Sequence, residues 1–197
     1  MKMPLSSQFV LWAVLAIPGV VIAVAWATGG LSYGGAVSET GEWAARILIV
    51  TLAITPLRLI FRRGPWLVWL VRRRRDFGVA SFVYAFAHTL IYLAHKLDFG
   101  LIVEEAMDWW LLAGWLAFLL FVPLALTSTD AAVRAMKLWW KRLHRLVYLA
   151  AVLVFIHWVL SAFEPLPAYV HLGLLAALEI TRIVLQWRQR AAMARAA

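Results

Sequence analysis

The sequence contains no cysteine, which excludes disulfides, thiol chemistry, thiolate-held iron–sulfur clusters and a heme attached through CxxCH. Charge is also scarce: 15% of residues are charged against 64% hydrophobic, and the mean hydropathy is +0.83. That leaves too little polar surface to cover an apolar globule in water. Carboxylates are the scarcer sign, ten Asp and Glu against nineteen Lys and Arg, for a net charge of +9. No GxGxxG follows a strand and no P-loop is present, so no built-in nucleotide domain is expected. Repeats, heptads and low-complexity tracts are missing as well, and no stretch between the apolar runs is long enough for a soluble catalytic module. What remains is a membrane protein whose basic excess reads as a cytoplasmic membrane face rather than a nucleic-acid surface.

A spanning helix takes about 20 apolar residues at 1.5 Å rise each. Six runs meet that length, and the expected fold is all-α: one transmembrane domain over residues 1–197, with helices at about 9–27, 43–61, 77–95, 109–129, 146–163 and 167–187. Arg46 and Arg58 fall near the ends of the second run, where they can snorkel. Glu179 and Arg182 lie three apart on one face of the sixth and can partly neutralise each other. Lys2 followed by an apolar run also fits a signal peptide, whose removal would leave five helices and reverse the charge bias; the six-helix reading keeps it.

Sorting the charges under that layout predicts orientation. With the N-terminus cytoplasmic, the inner side holds Lys2, Arg58, Arg62, Arg63, Arg72 to Arg75, Arg134, Lys137, Lys141, Arg142, Arg145, Arg182, Arg188, Arg190 and Arg195, which is 17 of the 19 basic residues. The outer side keeps Arg46 and Lys96 but takes Glu39, Glu42, Asp98, Glu104, Glu105, Asp108 and Glu164, seven of the ten acids. Both termini are therefore expected in the cytoplasm. Trp26, Trp43, Trp109 and Trp110 fall at outer boundaries and Trp66, Trp69, Trp139, Trp140 and Trp187 at inner ones, as interfacial indoles do.

Any chemistry must then lie on the helices, and histidine is the residue to follow. An ionisable residue inside a span is costly enough to suggest function, and neutral imidazole is a common heme and metal ligand. The third helix enters after Arg75, which sets His88 about 20 Å along it, and the fifth enters after Arg145, which sets His157 about 18 Å along. Level imidazoles on two helices suit the two axial positions of an edge-on b-type heme, which needs no covalent link. His144 lies about 20 Å inward of His157, a spacing that suits a second, stacked heme. Two difficulties attend that inner site. Thirteen steps leave His144 and His157 about 140° apart on a straight helix, and the level facing His144 on helix three carries Arg74 and no imidazole. His95 reads as a boundary residue beside Lys96 and Asp98, and His171 competes with His157 in depth. For His88 and His157 the plainer alternative is a satisfied interhelical hydrogen bond, against which their matched depth favours ligation.

The stretch Leu126-Thr-Ser-Thr-Asp130, then Trp140-Lys-Arg-Leu-His-Arg-Leu-Val-Tyr148 and His157, resembles the MsrQ (YedZ) family. Ile54-Thr-Pro-Leu-Arg58, the arginine run before Phe77-Gly78, and Ala87-His88 add to the likeness, which covers nearly the whole chain. More distantly the chain is similar to ferric reductase and NADPH oxidase transmembrane domains. The resemblance implies a heme-binding subunit of the bacterial inner membrane. It would pass electrons from a cytoplasmic flavin reductase or the quinone pool to a periplasmic molybdopterin-containing catalytic subunit that reduces methionine sulfoxide in proteins. It further implies His88, His144 and His157 as heme ligands and a bound FMN on the cytoplasmic side. One histidine on helix three, where the wider superfamily has two, is a departure that touches the inner site.

For the flavin, Arg62 to Arg75 reads as a cytoplasmic loop in which Arg72, Arg73, Arg74 and Arg75 offer bidentate phosphate donors and Trp66 and Trp69 offer stacking surfaces. The same residues serve equally as a positive-inside anchor with interfacial tryptophans. Two other classes fit a six-helix chain with buried histidines: a small transporter, for which Pro18-Gly19 and Pro56 are the only hints of broken helices, and a structural assembly subunit without heme.

Overall fold

The computed structural model describes residues 5–61, 64–96, 99–162 and 164–196. Lys2, Arg62, Arg63, Asp98 and Phe163 of the sequence reading lie outside them. Among the described residues there are nine helices and no strand: α1 (Leu5–Ala27), α2 (Tyr33–Phe61), α3 (Pro65–His95), α4 (Phe99–Ala106), α5 (Trp109–Leu126), α6 (Asp130–Met136), α7 (Leu138–His144), α8 (Val147–Ser161) and α9 (Leu166–Ala196). Six stretches are long and apolar enough to cross a membrane: α1, α2, α3, α5, α7 with α8, and α9.

Three helices outrun the hydropathy windows. α2 begins at Tyr33 rather than Trp43, and α9 continues to Ala196 rather than Trp187. α3 begins at Pro65, so Arg72 to Arg75 stand on a helix and not in the loop expected from the sequence. Proline at the first helical position loses no ladder bond, and arginine is a good helix former, so the polar turns extend the span without a break. α5 stops at Leu126, short of Thr129: the Thr127 and Ser128 hydroxyls donate to the carbonyls of Pro123 (2.6 Å) and Leu124 (2.7 Å) and close the last turn. Thr129 then starts α6, its side chain accepting from Ala132 N–H at 3.1 Å.

Between α7 and α8 the ladder tightens, with Arg145, Leu146 and Tyr148 each donating to the carbonyl three residues back rather than four. This break separates His144 from His157. The 140° mismatch of a straight helix therefore does not apply.

α2 is the central helix. More than half of its apolar window is buried (56%), against no more than 28% for any other span. One cluster joins its Ala45, Leu48 and Leu52 to Phe121, Ala150, Phe155 and Trp158. A second joins its Ala44, Ile47 and Ile54 to Leu11, Phe77 and Tyr84. α1 is held to α3 by polar contacts: Gln8 and Trp12 donate to Asp76, and Arg73 donates to Ser7. Beside Pro18, the Tyr84 hydroxyl accepts from Gly19 N–H (2.7 Å) and donates to Leu15 C=O (2.8 Å), the two groups an unbroken helix would pair directly. The hydroxyl thus satisfies both backbone groups beside the proline.

The contacts run antiparallel from α2 to α3, α3 to α5, α5 to α8 and α8 to α9. Arg74 reaches Thr55 and Arg75 reaches Asp130 at one end, hereafter the basic end. At the other, the acidic end, Glu39 and Glu42 pair with Arg46, and Glu105 pairs with Lys96 and Tyr92.

Candidate functional site

Towards the acidic end, α2, α3, α5 and α8 part around a cavity of about 630 Å³ lined by His88, His157, Trp110, Trp115, Phe118 and Phe121 among others. That volume suits a cofactor-sized ligand, and the mixture of apolar walls with a few polar groups is usual for one. His88 and His157 face each other across it with ring centroids 6.1 Å apart and planes at 79°. The sequence expectation that they are level agrees with this closeness.

Each ring is fixed by a hydrogen bond to a different helix. His88 Nδ1 lies 2.8 Å from the Val37 carbonyl on α2, and His157 Nδ1 lies 2.9 Å from the Trp110 carbonyl on α5. A carbonyl can only accept, so both Nδ1 atoms carry the proton and both Nε2 atoms keep a lone pair for a ligand. His157 also stacks at 15° with the Trp110 ring, 6.2 Å away. Two glycines stand beside the imidazoles. A Cβ on Gly41 would come within 2.9 Å of His88 Nδ1, and one on Gly114 within 2.9 Å of His157 Nδ1. On the cavity wall, Trp115 Nε1 is a buried donor without a hydrogen-bond partner.

The remaining candidates lie elsewhere. His144, at the end of α7, stacks on Trp140 at 3.9 Å and bonds to the Trp140 carbonyl of its own helix at 3.1 Å. Its buried Nε2 makes no well-formed hydrogen bond, and the Leu124 carbonyl of α5 lies near the ring. Arg74 and Arg75 lie within electrostatic range of it, in keeping with the expected register of α3. His95 stacks on Tyr33 at 3.7 Å. His171 bonds to Pro167 of its own helix and leans on Trp158. None of these three is among the cavity-lining residues.

Nor are Arg72 to Arg75, Trp66 or Trp69. Arg73 pairs with Asp76 and Ser7, Arg74 with Thr55, and Arg75 with Asp130, while Arg72 is exposed. Trp66 is 48% exposed and meets Phe61 edge-on, whereas Trp69 packs against the second core cluster. The structure therefore does not gather the arginines and both indoles around one pocket among the described residues.

Sequence reasoning missed Gly41, Gly114 and the two carbonyls. Glycine in an apolar helix signals close approach of a neighbour, but what approaches is visible only once α2 meets α3 and α5 meets α8.

Residues 40–155 match the family described as ferric reductase like transmembrane component. The chain is also similar to curated proteins, each named "Protein-methionine-sulfoxide reductase heme-binding subunit MsrQ". One, from Herminiimonas arsenicoxydans, is 35% identical over 77% of this chain and 71% of its own length. Another, from Xanthomonas campestris pv. campestris (strain B100), is 38% identical over 76% of this chain and 66% of its own length. The matched residues 40–155 take in Gly41, His88 and Gly114 and end two residues short of His157. The chain belongs to the ferric reductase-like transmembrane family, on its MsrQ branch.

Proposed function

We propose that this chain is a membrane electron-transfer subunit that binds heme b between His88 and His157 and serves a methionine sulfoxide reductase. The facing imidazole pair carries the reading. Two metal–nitrogen bonds of about 2 Å, with each ring centre about 1 Å beyond its nitrogen, separate the ring centroids by about 6 Å when both rings bind one metal from opposite sides. The observed separation is 6.1 Å. Among the described residues no group of three or more His, Cys, Asp or Glu converges on a metal position. A metal held by this pair must bring its other ligands with it, as porphyrin iron does. The name of the similar proteins supports the same group.

Heme at this position supplies reversible one-electron transfer. The chain does the rest. The Nδ1–H bonds to Val37 and Trp110 orient the rings and make each Nε2 more basic. Phe118, Phe121 and Leu48 line the cavity with apolar surface, and the buried indole N–H of Trp115 is available to an acceptor on the bound group. We assign the acidic end to the periplasm and both termini to the cytoplasm on the distribution of the basic residues. The cavity then lies nearer the periplasm, where a molybdopterin-containing catalytic subunit would take electrons, in the inner membrane of a bacterium. Electrons would enter at the basic end from a flavin reductase or the quinone pool, with His144 as the candidate ligand of an inner heme. For FMN the arginines give less support, because Arg73, Arg74 and Arg75 already hold partners within the chain.

The experiment is a reduced-minus-oxidised absorption spectrum of the purified chain supplied with heme. A Soret band with α and β bands is expected in the wild type. His88→Ala or His157→Ala should lower heme occupancy by more than about tenfold, while His95→Ala should not. Full heme retention in His157→Ala would sink the assignment, and a wild-type chain without the bands would favour the transporter or assembly alternatives.

A further inference from the structure

Val37 and Gly41, and again Trp110 and Gly114, stand four residues apart on α2 and α5. In an α-helix the carbonyl of the first residue of such a pair accepts the N–H of the second, and the Cβ of the second tilts back towards the N-terminus, alongside that carbonyl. A side chain there stands where an outside donor must come in to reach the same oxygen. His88 and His157 do come in there, Nδ1 first, at 2.8 and 2.9 Å from the oxygens. We propose that Gly41 and Gly114 are positioning residues for the two axial imidazoles, kept free of a side chain so that each ring can share a helix carbonyl; the proposal rests on the heme reading above.

The atoms that a Cβ would meet support this over ordinary helix packing. On Gly41 the three nearest are His88 Nδ1 at 2.9 Å, Cε1 at 3.1 Å and Cγ at 3.7 Å. On Gly114 they are His157 Nδ1 at 2.9 Å, with Cε1 and Cγ both at 3.0 Å. A glycine that served only to let two helices close up would meet the neighbour's backbone; here the three nearest atoms at each glycine belong to an imidazole. Gly34 and Gly173, on α2 and α9, meet nothing within 4 Å. The ring would have little room to retreat, since 6.1 Å separates it from its opposite number and a shared metal would fill that gap. Alanine at either position must stretch or break the Nδ1–H bond, tip the ring, or draw Nε2 off the iron. The same arrangement occurs twice, on different helices with dissimilar neighbours, Glu-Thr-Gly41-Glu and Leu-Ala-Gly114-Trp. Each copy fixes the protonated nitrogen and the aim of one ring.

The test is made on the full chain in detergent, with heme supplied during expression. Gly41→Ala and Gly114→Ala are compared with wild type and with Gly173→Ala by heme-to-protein ratio, low-temperature EPR of the oxidised protein and midpoint potential. Alanine is the better helix former, so the substitutions do not weaken α2 or α5 as helices. Expected is a loss of heme affinity of about 10- to 100-fold, the usual effect of disturbing the partner of a metal-bound imidazole. Any heme retained should show a displaced low-spin signal or a new high-spin component, while Gly173→Ala matches wild type. Wild-type occupancy, signal and potential in both alanine chains would overturn the proposal. A wild-type chain that binds no heme overturns the underlying reading instead, and is seen before any variant is made. A measurement without variants decides the matter if an alanine chain fails to accumulate: proton ENDOR of the wild type should resolve an Nδ1–H on each axial ring that persists in D2O long after exposed ring protons have exchanged. Rapid exchange at both rings would remove the shared carbonyl, and the role of the glycines with it.

Discussion

The acidic and basic ends of the bundle each hold a partly buried histidine site, and they are built differently. At the acidic end each imidazole is bonded across to another helix, His88 of α3 to Val37 of α2 and His157 of α8 to Trp110 of α5. At the basic end His144 is bonded to Trp140 of its own helix and stacked on that same residue. A cross-helix bond fixes a ring relative to the bundle, and two such bonds fix two rings relative to each other. A bond within one turn fixes the ring to its own helix, and the Leu124 carbonyl of α5 is a looser neighbour across the bundle. The surroundings differ in the same sense: two imidazoles on the wall of one cavity with ring centroids 6.1 Å apart at one end, and a single buried Nε2 near Arg74 and Arg75 at the other. Pre-organisation for a shared metal thus belongs to the acidic end.

The largest effect expected from this contrast is on heme content. His144→Ala should leave the low-spin spectrum of the His88 and His157 pair in place, whereas either member of the pair, replaced by alanine, should lower it by more than about tenfold. A His144→Ala chain as empty of heme as His157→Ala would break the contrast and make the basic end the site that organises the other.

Much of this architecture was legible in the sequence, for identifiable reasons. Six apolar runs gave six spans because the bilayer sets their length, and the uniform rise of the helix brought His88 and His157 to one level. The mismatch between His144 and His157 holds only for a straight helix; short-range bonds at Arg145, Leu146 and Tyr148 break it, and nothing in Arg-Leu-Val-Tyr announces them. The arginine run was misread as a loop because hydropathy reports where the membrane ends and not where the helix ends. Gly41 fell outside the apolar window that begins at Trp43, and its role depends on α3 packing against it.

The second prediction concerns stability, and there the basic end dominates. Arg182 donates to Glu179 at 2.8 Å and to the Tyr148 hydroxyl, with side chains only 16% and 18% exposed for the ion pair. Removing one member leaves the other charge poorly solvated. Arg182→Met should therefore destabilise the chain by about 2 kcal/mol, while Arg182→Met with Glu179→Gln should recover most of the loss. Thermal unfolding in detergent measures both, with the heme spectrum recorded alongside. The spectrum should stay at wild type in every variant. Equal destabilisation by the single and double variants, or a spectrum that moves with them, would show that the two ends are not separable in this way.

The smallest effect is a pH dependence at the surface of the basic end. Arg75 lies 2.7 Å from Asp130 and ties α3 to the start of α6. The hydrogen bond from that guanidinium, and then its charge, hold the Asp130 carboxyl below its ordinary value. A carboxyl lowered by folding contributes its stabilisation in full above the unfolded value, near pH 4, and loses it as pH falls through the lower folded value. Amide exchange in α6 should accordingly stay level from neutral pH down to about pH 4, once the intrinsic pH dependence is removed, and rise below it. Both side chains are well exposed, so the rise should be slight and salt should reduce the protection. Asp130→Asn should show the raised exchange at every pH and lose the step. A step beginning well above pH 5 would place the carboxyl in an environment that raises rather than lowers it, and no step at all would mean that the Arg75 contact does not hold α6 in solution.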